Sequence, residues 1–218
     1  MNKNFEKKQL ADLRVSYTMA SLGINDTAPN PFAQFEIWMD EAISAQLNEP
    51  NAMSLATVGT NGQPSVRSVL LKDLSNEGFT FFTNYESRKS SEISDNPSVG
   101  LCFLWKELER QVLICGTASR LSREASEKYF RTRPPGHQIG AWASLQSNEI
   151  PNREWMLERE MELTERFSGK EIPLPDFWGG YLVQPHEIEF WQGRENRLHD
   201  RIIYRSQGNQ WTKARLSP

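Results

Sequence analysis

Met53-Ser54-Leu55-Ala56-Thr57-Val58 is followed by Asn61-Gly62 and then by Ser65-Val66-Arg67-Ser68-Val69-Leu70-Leu71-Lys72. Apolar residues alternate with small or polar ones on both sides of an Asn-Gly pair, which reads as strand, hairpin turn, strand. A second hairpin follows at once. Its turn is Ser75-Asn76-Glu77-Gly78 and its outgoing strand is Phe79-Thr80-Phe81-Phe82-Thr83-Asn84, rich in residues that favour a pleated surface. Two hairpins with no helix between them commit the chain to an antiparallel sheet, because parallel strands need a crossover connection.

Upstream, Asn30-Pro31 is a helix start, and Phe35, Trp38, Met39, Ala42, Ile43 and Leu47 recur at three- and four-residue spacing until Asn48-Glu49-Pro50. Residues 1–30 are polar. Only Leu10, Leu13 and Tyr17 form a short helical face, around Arg14, so this part reads as a mobile N-terminal arm and residues 31–218 as a single domain. Downstream, Ser87 caps a helix over 87–94, and residues 99–105 and 111–121 form a strand pair. Ser122 opens a helix that Pro134-Pro135-Gly136 ends, and a charged helix covers 153–167. Residues 172–180 read as a loop, and four strands close the chain at 181–183, 187–191, 198–204 and 211–216. The fold class expected is mainly β, an antiparallel barrel with peripheral helices. No Gly-x-Gly-x-x-Gly run follows a strand, which removes the usual dinucleotide-binding fold.

With 218 residues, 38% of them hydrophobic and including seven Trp and eleven Phe, the chain can build a substantial core. A net charge of −3 gives no basic footprint for nucleic acid. No apolar run has the length of a membrane span, and Met1-Asn2-Lys3-Asn4-Phe5-Glu6-Lys7-Lys8 lacks the apolar block of a secretory signal, so a cytoplasmic protein without a membrane partner is expected. Two cysteines and three scattered histidines make no metal-binding pattern. Cys102 and Cys115 flank a hairpin and are expected as buried thiols facing each other across two strands.

The chemistry is read from cations. If residues 198–204 are a strand that begins slightly earlier, Arg197, His199 and Arg201 point to one face beside Trp191. Such a stripe is explained better by a bound anion or electron-rich ring than by core packing. Arg88 and Lys89 stand at the first turn of a helix, where the dipole already favours an anion; a phosphate would neutralise both. Arg67 and Lys72, five apart on one strand, are expected on opposite faces unless a bulge intervenes. Tyr129 and Arg133 share a helix side. Arg67, Arg88 and Lys89 thus form one anion-seeking group. Lys72, Tyr129, Arg133 and the Arg197/His199 stripe form another, as two phosphorylated ligands would require. A solvated charged face is the alternative for each cluster taken alone. A nucleophilic hydrolase has no support: there is no Gly-x-Ser-x-Gly elbow.

Arg67-Ser68-Val69-Leu70-Leu71-Lys72, Phe82-Thr83-Asn84-Tyr85-Glu86-Ser87-Arg88-Lys89, Glu109-Arg110-Gln111-Val112, Gln138-Ile139-Gly140-Ala141-Trp142, and Glu189-Phe190-Trp191 with Arg197-Leu198-His199-Asp200-Arg201 together resemble the pyridoxine/pyridoxamine 5′-phosphate oxidases. The resemblance runs from about Arg14 to the C-terminus. It implies an FMN-binding split β-barrel, a homodimer with FMN at the subunit interface, and oxidation of pyridoxine or pyridoxamine 5′-phosphate by O2. It places Arg67, Ser68, Val69, Leu70, Leu71, Lys72, Phe82, Thr83, Arg88, Lys89, Gln111, Gln146, Ser147, Trp191 and Arg201 around FMN, some from the partner chain. Lys72, Tyr129 and Arg133 fall at the substrate phosphate, Arg197 and His199 at the pyridine ring as the catalytic pair, and Arg14 and Tyr17 in an arm closing over the site. His137 stands where the family's phosphate loop usually carries Ser; it can still donate a hydrogen bond, but its ring shifts the phosphate or adds pH dependence. The competing readings are a related flavin oxidase acting on another ring compound, such as a phenazine precursor, and a non-catalytic flavin or pyridoxal phosphate carrier.

Overall fold

The computed structural model describes residues 16–208 and 210–218. Helix α1 (Pro31–Ser44) has Pro31 at its first position, and the Asn30 side chain accepts the Phe32 N–H at 2.8 Å, satisfying one of the free donors at a helix start. Its face of Phe32, Phe35, Trp38 and Ala42 is buried. Each large side chain removed from water in this way contributes roughly 1.5–3 kcal/mol. Met39 and Leu47 pack at the edge of the same core, while Ile43 is exposed.

The strands are β1 (Ala52–Val58), β2 (Pro64–Leu70), β3 (Asp73–Ser75), β4 (Gly78–Asn84), β5 (Ser98–Trp105), β6 (Arg110–Arg120), β7 (Trp178–Gln192), β8 (Asp200–Gln207) and β9 (Gln210–Leu216). All lie in one sheet, in the order β2-β1-β5-β6-β7-β4-β3, with β8 and β9 continuing from β7, and every pairing is antiparallel. Edge strand β2 comes alongside β4 without pairing to it, which curls the sheet into a half-open barrel. The alternation is clean across the register. Leu55, Leu101, Ile114 and Ile188 face the core in one row, while Ser54, Cys102, Leu113 and Glu189 form the next row on the other face.

Helices α2 (Arg88–Asp95), α3 (Arg123–Thr132), α4 (Pro135–Ala143) and α5 (Arg153–Phe167) complete the fold. Pro134-Pro135-Gly136 does end α3, but it also starts α4, which the sequence reading did not see: Pro135 occupies the first helical turn, where its missing N–H costs nothing. The two strands expected at 181–183 and 187–191 are one strand of 15 residues. Pro185 does not break it because the β6 register shifts there, with Cys115 opposite Glu187 and Gly116 opposite Pro185, so the proline sits at a bulge. Gly116 is required at this point, since a Cβ on it would lie 2.5 Å from the Gln184 carbonyl oxygen. The cysteine expectation fails: Cys102 stands opposite Leu113 and Cys115 opposite Gly100, and Cys115 is exposed. Burial raises both thiol pKa values.

Residues 16–30 lie along the barrel. Leu22 is buried in the core, its N–H donates to Asp200 at 2.9 Å, and Lys213 donates to the carbonyls of Ile24 and Thr27. The helical face around Leu10, Leu13 and Arg14 lies outside the described residues. Among the described residues no helix is long and apolar enough to cross a membrane.

Candidate functional site

The seam between β2 and β4 opens into a cleft of about 570 Å³, lined by residues 65–70 together with Lys72, Phe82, Thr83, Arg88, Lys89, Tyr129, Arg133, Gln146, Ser147 and Trp178. Five of these side chains are cationic and none is a carboxylate. Both anion-seeking groups read from the sequence therefore meet, apart from Arg197 and His199, in a single cleft. Arg67 and Lys72 share it despite their opposite parity, because β2 ends at Leu70, Leu71 turns into the core, and strand alternation no longer governs Lys72.

Lys89 is the most constrained cation. It is 8% exposed, and its Nζ donates to Thr83 Oγ1 at 3.0 Å, Ser87 Oγ at 3.0 Å and Gln146 Oε1 at 2.7 Å, all neutral acceptors. Burial, with the Arg67 charge nearby, lowers its pKa from 10.5 to about 8. Ser87 precedes α2 but does not cap it by a side-chain bond, as the sequence reading had it; its hydroxyl donates to the Asn84 carbonyl at 2.7 Å.

Arg133 ends α3. Its guanidinium lies 4.6 Å over the Trp178 ring, and its Nη1 is buried without a hydrogen-bond partner among the described residues. A buried guanidinium nitrogen left unpaired costs about 1–3 kcal/mol or more, so an anion entering the cleft has a donor already waiting. Burial lowers the Arg133 pKa. Tyr129 stacks on Phe82 at 3.9 Å between ring centres, and Phe82 on Trp178 at 5.5 Å, which makes a flat aromatic wall beside Arg133. His137, in the first turn of α4, lines an adjoining hollow with Arg133, Gln146 and Trp178.

A second constellation stands apart from the lining of this cleft. Gln111 faces Trp191 across β6 and β7, and Trp191 faces Arg201 across β7 and β8. Arg197 and His199 do not extend β8 as a cationic stripe. Asn196 and Arg197 both have positive φ, 54° and 62°, and make a tight turn, so the strand begins only at Asp200. Arg201 is also not free: Glu189 holds it in a two-point ion pair at 2.7 and 2.9 Å. His199 packs on Trp191 at 4.6 Å, and its Nδ1 accepts the Arg194 backbone N–H at 3.1 Å. That bond requires a lone pair at Nδ1 and so puts the proton of the neutral ring on Nε2. Burial first, then the Arg197 charge, lowers the His199 pKa. Tyr17 covers this pair edge-on, 5.8 Å from Trp191 and 5.7 Å from His199, while Arg14 lies outside the described residues.

A family model described as pyridoxamine 5′-phosphate oxidase matches residues 39–162. The chain belongs to the pyridoxamine 5′-phosphate oxidase family. Membership makes it an oxidoreductase, and a second model, for the family's C-terminal dimerisation region, matches residues 178–218. The chain is 54% identical over 211 residues to the pyridoxine/pyridoxamine 5′-phosphate oxidase of Cupriavidus taiwanensis, covering 96% of this chain and 99% of that one. It is also 54% identical over 212 residues to the enzyme of the same name from Rubrobacter xylanophilus, covering 97% and 98%. Among solved structures, PhzG from Burkholderia lata in complex with tetrahydrophenazine-1-carboxylic acid superposes with a TM-score of 0.87 at 30% identity, over 94% of this chain and all of that one. A pyridoxamine 5′-phosphate oxidase-related, FMN binding protein from Nostoc punctiforme shares the split-barrel fold at a TM-score of 0.69 and 16% identity, over 91% of this chain and all of that one.

Sequence reasoning missed two residues at this family member's site, one lining the cleft and one behind it. Trp178 was assigned to a loop, yet it begins β7 and forms the far end of the aromatic wall. Glu92 passed unnoticed on α2. Its four-residue spacing from Arg88 was the one available signal, and the two do pair at 2.8 Å.

Proposed function

We propose that the protein oxidises pyridoxine 5′-phosphate and pyridoxamine 5′-phosphate to pyridoxal 5′-phosphate with bound FMN, as a homodimer that uses O2. The cleft itself supports this most: five cations and no carboxylate, with one cation buried among neutral acceptors and another holding a buried nitrogen unpaired among the described residues. That donor set fits two phosphate groups. Arg67, Arg88 and Lys89, with Gln146, Ser147 and the backbone of Ser68–Leu71 and Phe82–Thr83, would hold FMN. Lys72, Tyr129 and Arg133, with His137 beside them, would hold the substrate phosphate.

Bound there, FMN would supply a two-electron acceptor for the hydride of the substrate's 4′ carbon, with the hydroxyl or amine proton going to solvent and O2 then reduced to hydrogen peroxide; for the amine substrate, water would hydrolyse the resulting imine and release ammonia. The chain's own work is positioning. Phosphate contacts remote from the reacting carbon hold the ring in line, and interactions spent there raise the rate only by fixing the geometry of transfer. His199, with its proton on Nε2, acts as a donor to the substrate rather than as a base, and exposed Arg197 sets the ring's electrostatics. Tyr17, lying over Trp191 and His199, excludes water from that side.

Gln111, Trp191, Arg197, His199 and Arg201 would reach the cleft from the partner subunit. They are absent from its lining within one chain, and the sheet face that bears Gln111 and Trp191 also carries exposed Leu104 and half-buried Leu113. The likeness to PhzG favours a second reading, oxidation of an unphosphorylated ring, but Lys72, Tyr129 and Arg133 would then have no partner. Anaerobic addition of pyridoxine 5′-phosphate to the yellow protein tests the choice. Bleaching of the flavin band, with pyridoxal 5′-phosphate formed on readmitting air, is expected; a band unchanged by the phosphorylated substrate contradicts the proposal.

A further inference from the structure

Glu92 is a buried carboxylate directly behind the cleft proposed above to hold phosphate. It is 7% exposed, and it does not line the cleft. Its two oxygens are divided between two tasks. Oε1 accepts Arg88 Nε at 2.8 Å, one helical turn back on α2. Oε2 accepts the hydroxyls of Thr57 on β1 and Ser65 on β2, both at 2.5 Å, and Arg67 Nη2 at 3.2 Å. The same two hydroxyls accept from Arg67, Nη1 to Thr57 and Nη2 to Ser65, while Nη1 also donates to the Leu55 carbonyl at 3.1 Å.

The carboxylate is thus the common anchor of two of the three guanidinium groups at the cleft, those of Arg67 and Arg88. Arg67 is laid flat on the β1–β2 hairpin. Arg88 is held by its Nε alone, so that its Nη1 and Nη2 stay without a partner among the described residues, and its side chain is 61% exposed. A negative charge at this depth opposes phosphate binding by Coulomb repulsion, and simple electrostatics would predict its removal to help. The geometry argues the reverse, because an arginine's planar fork is worth most when its direction is fixed beforehand.

We infer that Glu92 is a positioning residue for the flavin phosphate, aiming Arg67 and Arg88 through a shared carboxylate fixed by Thr57 and Ser65. This rests on the FMN reading above.

The test compares FMN and riboflavin, which differ only in the phosphate, on wild-type apoprotein and on Glu92→Gln, by quenching of flavin fluorescence. Gln keeps the size and one acceptor but loses the charge and one of the two anchors. The expected result is FMN affinity weakened about tenfold or more, the order of a charge-assisted hydrogen bond lost, with riboflavin affinity changed less than about twofold. Equal losses for both flavins would mean a merely structural role and overturn the inference, as would unchanged or tighter FMN binding. If Glu92→Gln fails to fold, Glu92→Asp, which keeps the charge on a shorter stem, is expected to show the same phosphate-selective loss; wild-type selectivity in that variant also overturns it. A wild-type apoprotein that does not prefer FMN to riboflavin refutes the cofactor reading instead, and the inference with it.

Discussion

In the proposed FMN site, Lys89 would make flavin binding sensitive to pH in a direction set by its burial. Its amine is buried among three neutral acceptors and its pKa has fallen from 10.5 to about 8. Keeping it charged at neutral pH costs about 3 kcal/mol relative to water, which a bound phosphate can offset. The phosphate of FMN, with a second pKa near 6, is fully charged above pH 7, so over pH 7–9 only the lysine titrates among the two. About nine in ten Lys89 amines carry a proton at pH 7 and about one in eleven at pH 9; if the protonated form binds, FMN affinity falls roughly tenfold over that range. Riboflavin affinity should stay nearly level. Lys89→Met should bind FMN more weakly at pH 7 and lose the slope. Calorimetric titration of apoprotein at several pH values reads both quantities. A slope equal for FMN and riboflavin, or one that persists in Lys89→Met, refutes the reasoning. The stability of the apoprotein runs the other way: the folded pKa lies below the unfolded one, so stability increases as pH rises from about 8 towards 10.5, and more in wild type than in Lys89→Met.

Glu92 shows a linkage of the same sign at lower pH. Burial works to raise its pKa, but hydrogen bonds from Ser65, Thr57 and Arg88 and the Arg88 charge hold it at about 2, against 4.5 ordinarily. Its stabilising contribution is present above pH 4.5 and is lost as pH falls towards 2, so the thermal midpoint should drop more steeply in wild type than in Glu92→Gln over that window. Arg133→Met should weaken binding of pyridoxine 5′-phosphate by roughly tenfold to a hundredfold, seen in KM, without lowering the melting temperature, because it removes a buried nitrogen that has no partner among the described residues. Arg197→Met should depress turnover far more than flavin content, read by steady-state rates against the flavin-to-protein absorbance ratio. Phe35→Ala, at the centre of the aromatic core, should cost about 3–5 kcal/mol in urea unfolding.

The sheet was legible because hairpins write themselves locally. Asn61-Gly62 and the Ser75–Gly78 turn fix two pairings within a few residues, and the alternation on β1, β5 and β6 needs no distant partner to be read. What the sequence hid was decided at longer range. Pro185 looked like an interruption of β7 until its opposite position, Gly116 at the β6 bulge, was known. Pro135 looked like a stop because the same residue type serves helix ends and helix starts. Arg197 and His199 obeyed strand parity only on the premise of a strand, and two left-handed residues turn the chain there instead. The cationic members of the cleft could be picked out singly because a charge at a helix start or on an apolar strand has few explanations. Glu92 could not, since Thr57 and Ser65, which give it meaning, lie 35 and 27 positions away.

In the proposed homodimer the active site combines the cationic cleft of one subunit with the Trp191, Arg197 and His199 constellation of the other. Co-expression of Lys89→Met with Arg197→Met under different affinity tags, followed by isolation of the mixed dimer, tests it most directly. Each parent homodimer should be nearly inactive. In the mixed dimer one site would carry both substitutions and the other neither, so about half the wild-type turnover per dimer is expected. A mixed dimer as inactive as its parents would show instead that each subunit builds its site alone.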